Sequence, residues 1–276
     1  MATTASFTVD TAHGPRPVSV AYERTGTGEP LVLLHGIGHH HQAWDPVTRI
    51  LAAEREVIAV DLPGFGASPG LPDGVPYSLE TVPAIFGAFF GALDLDRPHV
   101  AGNSLGGLFA LELGRTELVR SVTALSPAGF WNEPERRYAF ATLRAMRRAA
   151  LALPVPTIER LSRSAAGRAA LTSTIYARPG RRSPEAVVAE TLALRGATGF
   201  HRTLAAGGNA VFTDEVKGLP VTVAWGTRDR ILLRRQGIRA KHVIPDARLV
   251  RLPGCGHVPM SDDPALVARV ILDTSR

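Results

Sequence analysis

The residue best placed to do chemistry is Ser104, which sits in Gly102-Asn103-Ser104-Leu105-Gly106 between an apolar run and a helical pattern. A strand that turns sharply into a helix forces the serine at its apex to φ > 0. That costs a non-glycine residue about 1–3 kcal/mol and persists only where the surroundings impose it. Gly102 and Gly106 flank the serine at two residues' distance, where strand and helix come so close that a Cβ would clash. The turn lifts the hydroxyl clear of its neighbours and sets it beside the unpaired N–H groups of a helix N-terminus, which stabilise developing negative charge. These are the surroundings of a nucleophile, although a loop with serine as an N-cap has the same local pattern. Because a serine hydroxyl is a poor nucleophile at neutral pH, the reading also requires a base, an acid to orient it and a second oxyanion donor.

The elements that must position these groups alternate between strand and helix. Residues 6–9 and 18–23 predict an N-terminal hairpin around Gly14-Pro15-Arg16-Pro17. Continuous apolar runs at 31–34 and 57–60 suit strands covered on both faces, with a helix predicted over 43–53 between them. A helix over 78–93, with Pro83 tolerable only in its first turn, leads to the Ser104 strand and helix and then to a strand at 121–125. Strands return at 219–226 and 247–252, followed by helices over 233–243 and 264–272. This alternation predicts an α/β fold with a mostly parallel sheet. In such a sheet ligands bind at the carboxyl ends of the strands. The unusual loops all fall there: His35-Gly36-Ile37-Gly38, Asp61-Leu62-Pro63-Gly64, Ser104, Asp229 and His257.

From 130 to 213 the character changes, with alanine, leucine and arginine at helical spacing and no β-branched buried run. This predicts a helical cap at 130–213 inserted into a core made of 1–129 and 214–276. The net charge of +6 is concentrated in the same region. Residues 128–213 hold 13 arginines against five glutamates, whereas the rest of the chain has 18 basic against 20 acidic residues. No nucleic-acid motif or interleaving of aromatics accompanies the charge, so a solvated helical face is expected and no nucleic-acid partner. The single cysteine, Cys255, excludes an intramolecular disulfide. No basic leader and no stretch of about 20 apolar residues is found, so no membrane span and a cytoplasmic location are expected.

The chain resembles the α/β-hydrolase fold superfamily, in its serine-nucleophile branch with a helical cap after the sixth strand. The resemblance runs from Leu31 to Leu272. It rests on His35-Gly36-Ile37-Gly38, Asp61-Leu62-Pro63-Gly64-Phe65-Gly66-Ala67-Ser68, Gly102-Asn103-Ser104-Leu105-Gly106-Gly107, Trp225-Gly226-Thr227-Arg228-Asp229 and Gly254-Cys255-Gly256-His257. It implies an eight-stranded, mostly parallel sheet flanked by helices, and a triad in the chain order Ser104, Asp229, His257. In that triad His257 takes and returns the serine proton while Asp229 fixes the imidazole tautomer. The loop Ser126-Pro127-Ala128-Gly129 carries no carboxylate, and Asp262 and Asp263 are expected to be a solvated cap for the last helix.

The backbone N–H groups of Leu105 and Ile37 are the expected oxyanion hole. His35 is expected to orient its loop, and His35, Gly36, Trp131 and Arg195 are candidate pocket residues. Phe130, Trp131, Tyr138 and Phe140 either line an apolar pocket or pack the cap. His39-His40-His41 lacks the i, i+4 spacing of helical zinc ligands, so an exposed loop or a place at the pocket mouth is expected and no metal. Cys255 is expected to be a small buried residue.

Ser104 disfavours the haloalkane dehalogenases and epoxide hydrolases, which use aspartate at this position. The absence of a cap lysine disfavours the hydroxynitrile lyases. The reading is a cofactor-free serine hydrolase that cleaves a small-molecule carboxylic ester or related acyl bond through an acyl-enzyme. Three alternatives stand beside it: a carbon–carbon hydrolase of the meta-cleavage-product type with Arg195 on a substrate carboxylate, a cofactor-free perhydrolase, and a non-catalytic ligand receptor.

Overall fold

The computed structural model describes residues 2–12 and 14–276. Eight strands, β1 (Thr3–Val9), β2 (Arg16–Thr25), β3 (Pro30–Leu34), β4 (Glu56–Val60), β5 (His99–Asn103), β6 (Ser121–Leu125), β7 (Val221–Gly226) and β8 (Arg248–Leu252), form one sheet. Their order is β1-β2-β4-β3-β5-β6-β7-β8. The N-terminal hairpin pairs antiparallel with Ser6 opposite Ser19, β2 runs antiparallel to β4, and every later pairing is parallel.

The apolar runs are continuous because both faces of the sheet are covered. Val32, Leu34, Ile58, Val60 and Val100 share one core with Phe86 and Phe89 of α2 (Val82–Ala92) and Leu111 of α3 (Leu105–Leu113). Leu31, Leu33, Val57, Ala59 and Ala101 face the other way. They pack against Val47 and Leu51 of α1 (Asp45–Leu51) and Val267 and Ile271 of the C-terminal helix (Pro264–Thr274). Burying one such side chain contributes about 1.5–3 kcal/mol, so the alternation of faces accounts for most of what holds the layers together. The helix predicted over 78–93 begins late: residues 79–81 form a 3-10 turn and α2 starts at Val82. Pro83 explains the shift, since it lacks an N–H and fits only the first turn. The helix predicted over 43–53 is likewise divided into a 3-10 turn, His41–Trp44, and α1.

Between β6 and β7 the described chain forms helices and no strand: α4 (Glu133–Ala152), α5 (Val155–Ser162), α6 (Ala165–Thr172), α7 (Pro184–Gly196) and α8 (Phe200–Ala206). A capping box starts α4, in which Asn132 and Glu135 exchange side-chain to backbone hydrogen bonds at 3.0 Å. The buried Glu135 carboxylate is also held by Arg235 and Arg239, which tie this start to α9 (Arg235–Val243). This helical segment lies across the loops that follow β4 and β8. Gly199 N–H donates to the Gly64 carbonyl at 2.9 Å, and His257 N–H donates to the Ile175 carbonyl at 2.8 Å. No helix among the described residues is long and apolar enough to cross a membrane.

Candidate active site

Ser104 follows the last residue of β5 and precedes the first of α3, with φ 56° and ψ −112°. Its conformation is over-determined from three sides. Its N–H donates to the Leu125 carbonyl at 3.0 Å, and its carbonyl accepts from Leu108 N–H and Ala128 N–H, each at 3.0 Å. The flanking glycines are a steric necessity: a Cβ on Gly102 would collide with the Gly106 carbonyl, and one on Gly106 with the Leu34 carbonyl. The strain at the serine is thus held by the strand-to-helix packing itself.

The loops after β7 and β8 are joined edge to edge. Thr227 N–H donates to the Leu252 carbonyl at 3.1 Å, Arg228 N–H to the Cys255 carbonyl at 2.8 Å, and Gly254 N–H to the Thr227 hydroxyl at 2.9 Å. This brings Asp229 and His257 together, with Oδ2 of Asp229 2.8 Å from Nδ1 of His257. The other oxygen, Oδ1, accepts from Ile231 N–H and Leu232 N–H at 2.9 Å each, so the carboxylate is fixed at both ends. An acceptor at Nδ1 selects the tautomer with the proton there, leaving Nε2 as the basic nitrogen. Asn103, beside Ser104, donates through its side chain to the His257 carbonyl at 2.9 Å and to the Leu125 carbonyl at 3.1 Å. It therefore links the serine turn to the histidine loop, a role its place in the motif leaves unstated.

Ser104 and His257 line one cavity of about 330 Å3, together with Gly36, Ile37, Asn103 and side chains from α4, α6 and α7. A smaller cavity of about 50 Å3 also reaches Ser104 and carries Trp131, Phe140 and Leu204. A substrate held at Ser104 has room on two sides. Gly36 is confined to glycine or a local shift, since a Cβ there would sit 3.2 Å from the Ser104 Cβ. Neither Ile37 N–H nor Leu105 N–H has a protein acceptor among the described residues. Leu105 is the first residue of α3, where an N–H has no intrahelical partner.

Of the other candidate pocket residues, His35 is fully buried and lines neither cavity. Its Nδ1 lies 2.7 Å from the Gly36 carbonyl, and its Nε2 accepts from Leu62 N–H at 3.0 Å. It pins the loop after β3 to the loop after β4. Burial lowers its pKa to about 4, against the opposing pull of Asp61 and the Gly36 carbonyl, so the ring is neutral. Arg195 also lies outside both cavities: its guanidinium donates to the Leu153 carbonyl at 2.8 Å and to the Ala150 carbonyl at 3.4 Å. It satisfies the otherwise unpartnered carbonyls at the end of α4. Tyr138 is exposed with its hydroxyl on the Arg230 carbonyl, and Phe130 packs on Phe212 at 5.7 Å, so the aromatics of this segment divide between cavity and packing.

One expectation is corrected, and of the two alternatives for the histidines one falls away. Asp262 is not a solvated cap: it is buried, and its carboxylate accepts from Ala177 N–H, Arg178 N–H and Gly256 N–H at 2.8–3.0 Å. Three backbone donors from two segments offset the desolvation that an isolated carboxylate would suffer. The helix cap is Asp263 alone, accepting from Leu266 N–H at 3.1 Å. Nor are the three histidines in an exposed loop, since all are buried. His41 is bound by Asp61 at 3.0 Å, His40 stacks on His39 at 5.8 Å, and His39 reaches the larger cavity. Cys255 is buried, and burial pushes its thiol up to about 12, which leaves it an inert packing residue.

A sequence model of the alpha/beta hydrolase family matches residues 31–270. The chain belongs to that family. An uncharacterised protein of Mycobacterium tuberculosis is 29% identical over 92% of this chain and 76% of its own length. A pimeloyl-[acyl-carrier protein] methyl ester esterase of Aeromonas salmonicida is 41% identical over 36% of this chain and 37% of its own. Among solved structures, a thermophilic esterase from Thermogutta terrifontis superposes with a TM-score of 0.75 at 20% identity, covering 97% of both chains. This last likeness is one of fold.

Proposed function

We propose that this α/β hydrolase is a serine hydrolase that cleaves a carboxylic ester through an acyl-enzyme. Ser104 is its nucleophile, His257 its base and Asp229 the group that orients the base. The single observation that carries the reading is the Nδ1 to Oδ2 contact of 2.8 Å between His257 and Asp229, in a histidine that shares its cavity with a strained serine. In the proposed cycle the Ser104 oxygen attacks the ester carbonyl as its proton passes to Nε2 of His257. The tetrahedral oxyanion faces the free N–H groups of Ile37 and Leu105, each of which contributes about 2.7–4 kcal/mol of transition-state stabilisation in comparable enzymes. Nε2 returns the proton to the departing alkoxide. Water then repeats the sequence against the acyl-serine, releasing the acid and restoring Ser104.

The triad supplies nucleophile, proton transfer and charge stabilisation, so the reaction requires no cofactor. Helices α4–α8 act in this reading as a cap that supplies the cavity walls and excludes water from the charged intermediate. The test is a panel of p-nitrophenyl esters from acetyl to palmitoyl, run on the parent and on Ser104→Ala, with a fluorophosphonate as covalent probe. Turnover in the parent alone, with a mass increase on the peptide that contains Ser104, is expected. A probe that labels another residue, or esterase activity that survives in Ser104→Ala, refutes the assignment. A parent that is inert toward esters but bleaches a vinylogous diketo acid would instead indicate carbon–carbon cleavage.

A further inference from the structure

The larger cavity is walled mostly by apolar side chains such as Leu143, Met146, Leu153, Leu171 and Leu194, but one part of it is different. His39 follows β3 and Glu190 lies on α7; both are buried, and both line the cavity. Behind them stand Tyr176 and Arg182. The Tyr176 hydroxyl donates to Oε1 of Glu190 at 2.8 Å, and Arg182 pairs with the same oxygen while its guanidinium stacks on the Tyr176 ring at 4.3 Å from the centroid. Arg182 also donates to the Ser261 hydroxyl. Within this cluster Oε2 of Glu190, Nδ1 of His39 and Nε of Arg182 have no hydrogen-bond partner, and of these three residues only Glu190 and His39 line the cavity. The orphaned acceptors on Glu190 and His39 belong to residues of one cavity wall, and a buried polar group left unpaired is costly, so a donor supplied from the cavity would be stabilised there.

The hydrogen-bond network determines what these atoms can accept. Tyr176 gives its proton to Glu190, so the contact of 3.4 Å between its oxygen and Nε2 of His39 requires the proton to sit on Nε2. Nδ1 is then a bare acceptor. Burial holds His39 well below the ordinary histidine range, so the ring is uncharged. Glu190 is an acceptor whose charge Arg182 already balances. An anion would meet a carboxylate, and a cation would be desolvated against a pair with no net charge left to offer. A neutral donor meets neither objection.

We infer that His39, Tyr176, Glu190 and Arg182 form a polar subsite that recognises a hydroxyl group on the substrate, remote from the bond that is cleaved. This rests on the proposed ester hydrolysis at Ser104. In an otherwise apolar cavity a hydroxylated ester should be the poorer substrate, because its hydroxyl loses water and gains nothing. The subsite reverses that order, because a site built to bond a hydroxyl leaves its own acceptors unpaired when the analogue lacks one.

Two ester series test the inference by pH-stat titration. One is methyl ω-hydroxyalkanoates and the other acetyl monoesters of α,ω-diols, each of four to eight carbons and each compared with its deoxy counterpart. For at least one chain length the parent should favour the hydroxylated ester about tenfold or more in kcat/KM. In Glu190→Gln and His39→Phe that ratio should fall to about one. A purely structural role for either residue would lower both members of a pair alike and leave the ratio intact, which overturns the inference. So does a parent ratio of one or less throughout while the deoxy esters turn over, and this comparison needs no variant to fold. Should no ester turn over, the ester-hydrolysis reading has failed. Calorimetry with uncleavable ω-hydroxy methyl ketones and their deoxy forms then decides, tighter binding of the hydroxy ketone supporting the subsite and equal affinity removing it.

Discussion

Lowering the pH from 7 to 5 should destabilise the protein through His35. The ring is fully buried, burial lowers its pKa to about 4, and Nε2 must remain unprotonated to accept Leu62 N–H. An unfolded histidine binds its proton with a pKa near 6.5, so between pH 6.5 and 4 the unfolded chain holds more protons than the folded one, and stability falls as pH falls. For a pKa of about 4 against one of about 6.5, the loss from pH 7 to pH 5 is about 2 kcal/mol, growing to about 3 kcal/mol at pH 4. His39 and His40, also shifted down by burial, act in the same direction. His41 opposes them: burial works against its charge, but Asp61 outweighs burial and raises its pKa.

The contribution of His35 is isolated by comparison with His35→Gln, whose amide oxygen can accept the Leu62 N–H at every pH. Urea unfolding of both proteins at half-unit steps from pH 7 to 5 should show the difference in stability between them shrinking by about 2 kcal/mol toward low pH. Any packing cost of glutamine against Phe65 is independent of pH and cancels from that slope. Parallel curves for parent and variant would refute the claim that a neutral, desolvated His35 holds the two loops together.

Asp229→Asn should keep the fold but lower kcat about 10,000-fold, because an amide no longer selects the Nδ1–H tautomer; single-turnover kinetics on a p-nitrophenyl ester will read it. Arg195→Ala should leave KM for anionic and neutral esters in the same ratio as in the parent, since its guanidinium is engaged by the C-terminal end of α4; it should cost about 1–3 kcal/mol in urea unfolding. A selective rise in KM for anionic esters would restore it as a substrate ligand. Asp262→Ala strands three backbone N–H groups, and about 3 kcal/mol or more of local stability should go with them. Limited proteolysis should then find the 173–183 segment cut faster than in the parent.

The sheet and the serine turn are legible in the sequence because both are set by local constraints. A short apolar run with no polar interruption, in alternation with helical patterns, suits a strand covered twice, and a serine between two glycines at a strand-to-helix junction suits a strained apex. The meeting of Asp229 with His257 is legible for a different reason: both follow strands that end side by side in a parallel sheet. What could not be read depends on partners far along the chain. Asp262 looks like a solvated carboxylate because its donors, Ala177 and Arg178, come from an insertion 85 residues earlier. Arg195 has the chemistry of a carboxylate ligand, and only the position of the C-terminal end of α4 shows that its guanidinium is turned to backbone carbonyls there and lies outside the cavities. Three consecutive histidines carry no signal of burial, since what covers them is contributed by Asp61, Tyr176 and α7.

The histidine loop shows how the helical segment between β6 and β7 and the sheet act as one unit. His257 is held by Asp229 through its ring, by Asn103 through its carbonyl and by Ile175 of the insertion through its N–H. Gly256, the residue before it, donates to Asp262, which in turn holds Ala177 and Arg178. Any displacement of the 175–178 segment must therefore either carry the histidine with it or break hydrogen bonds to buried backbone, and each broken bond leaves an unsatisfied group that costs about 1–3 kcal/mol. Substrate entry is consequently easier by movement of α4, which contributes Leu143, Ala145, Met146, Ala149 and Ala150 to the larger cavity, than by movement of the strap beside His257 or of α7, whose Glu190 is held by Tyr176 and Arg182. A disulfide engineered between α4 and α7, which pack against each other, should slow substrate entry while leaving the acylation rate of bound substrate unchanged, and stopped-flow binding against burst kinetics separates the two.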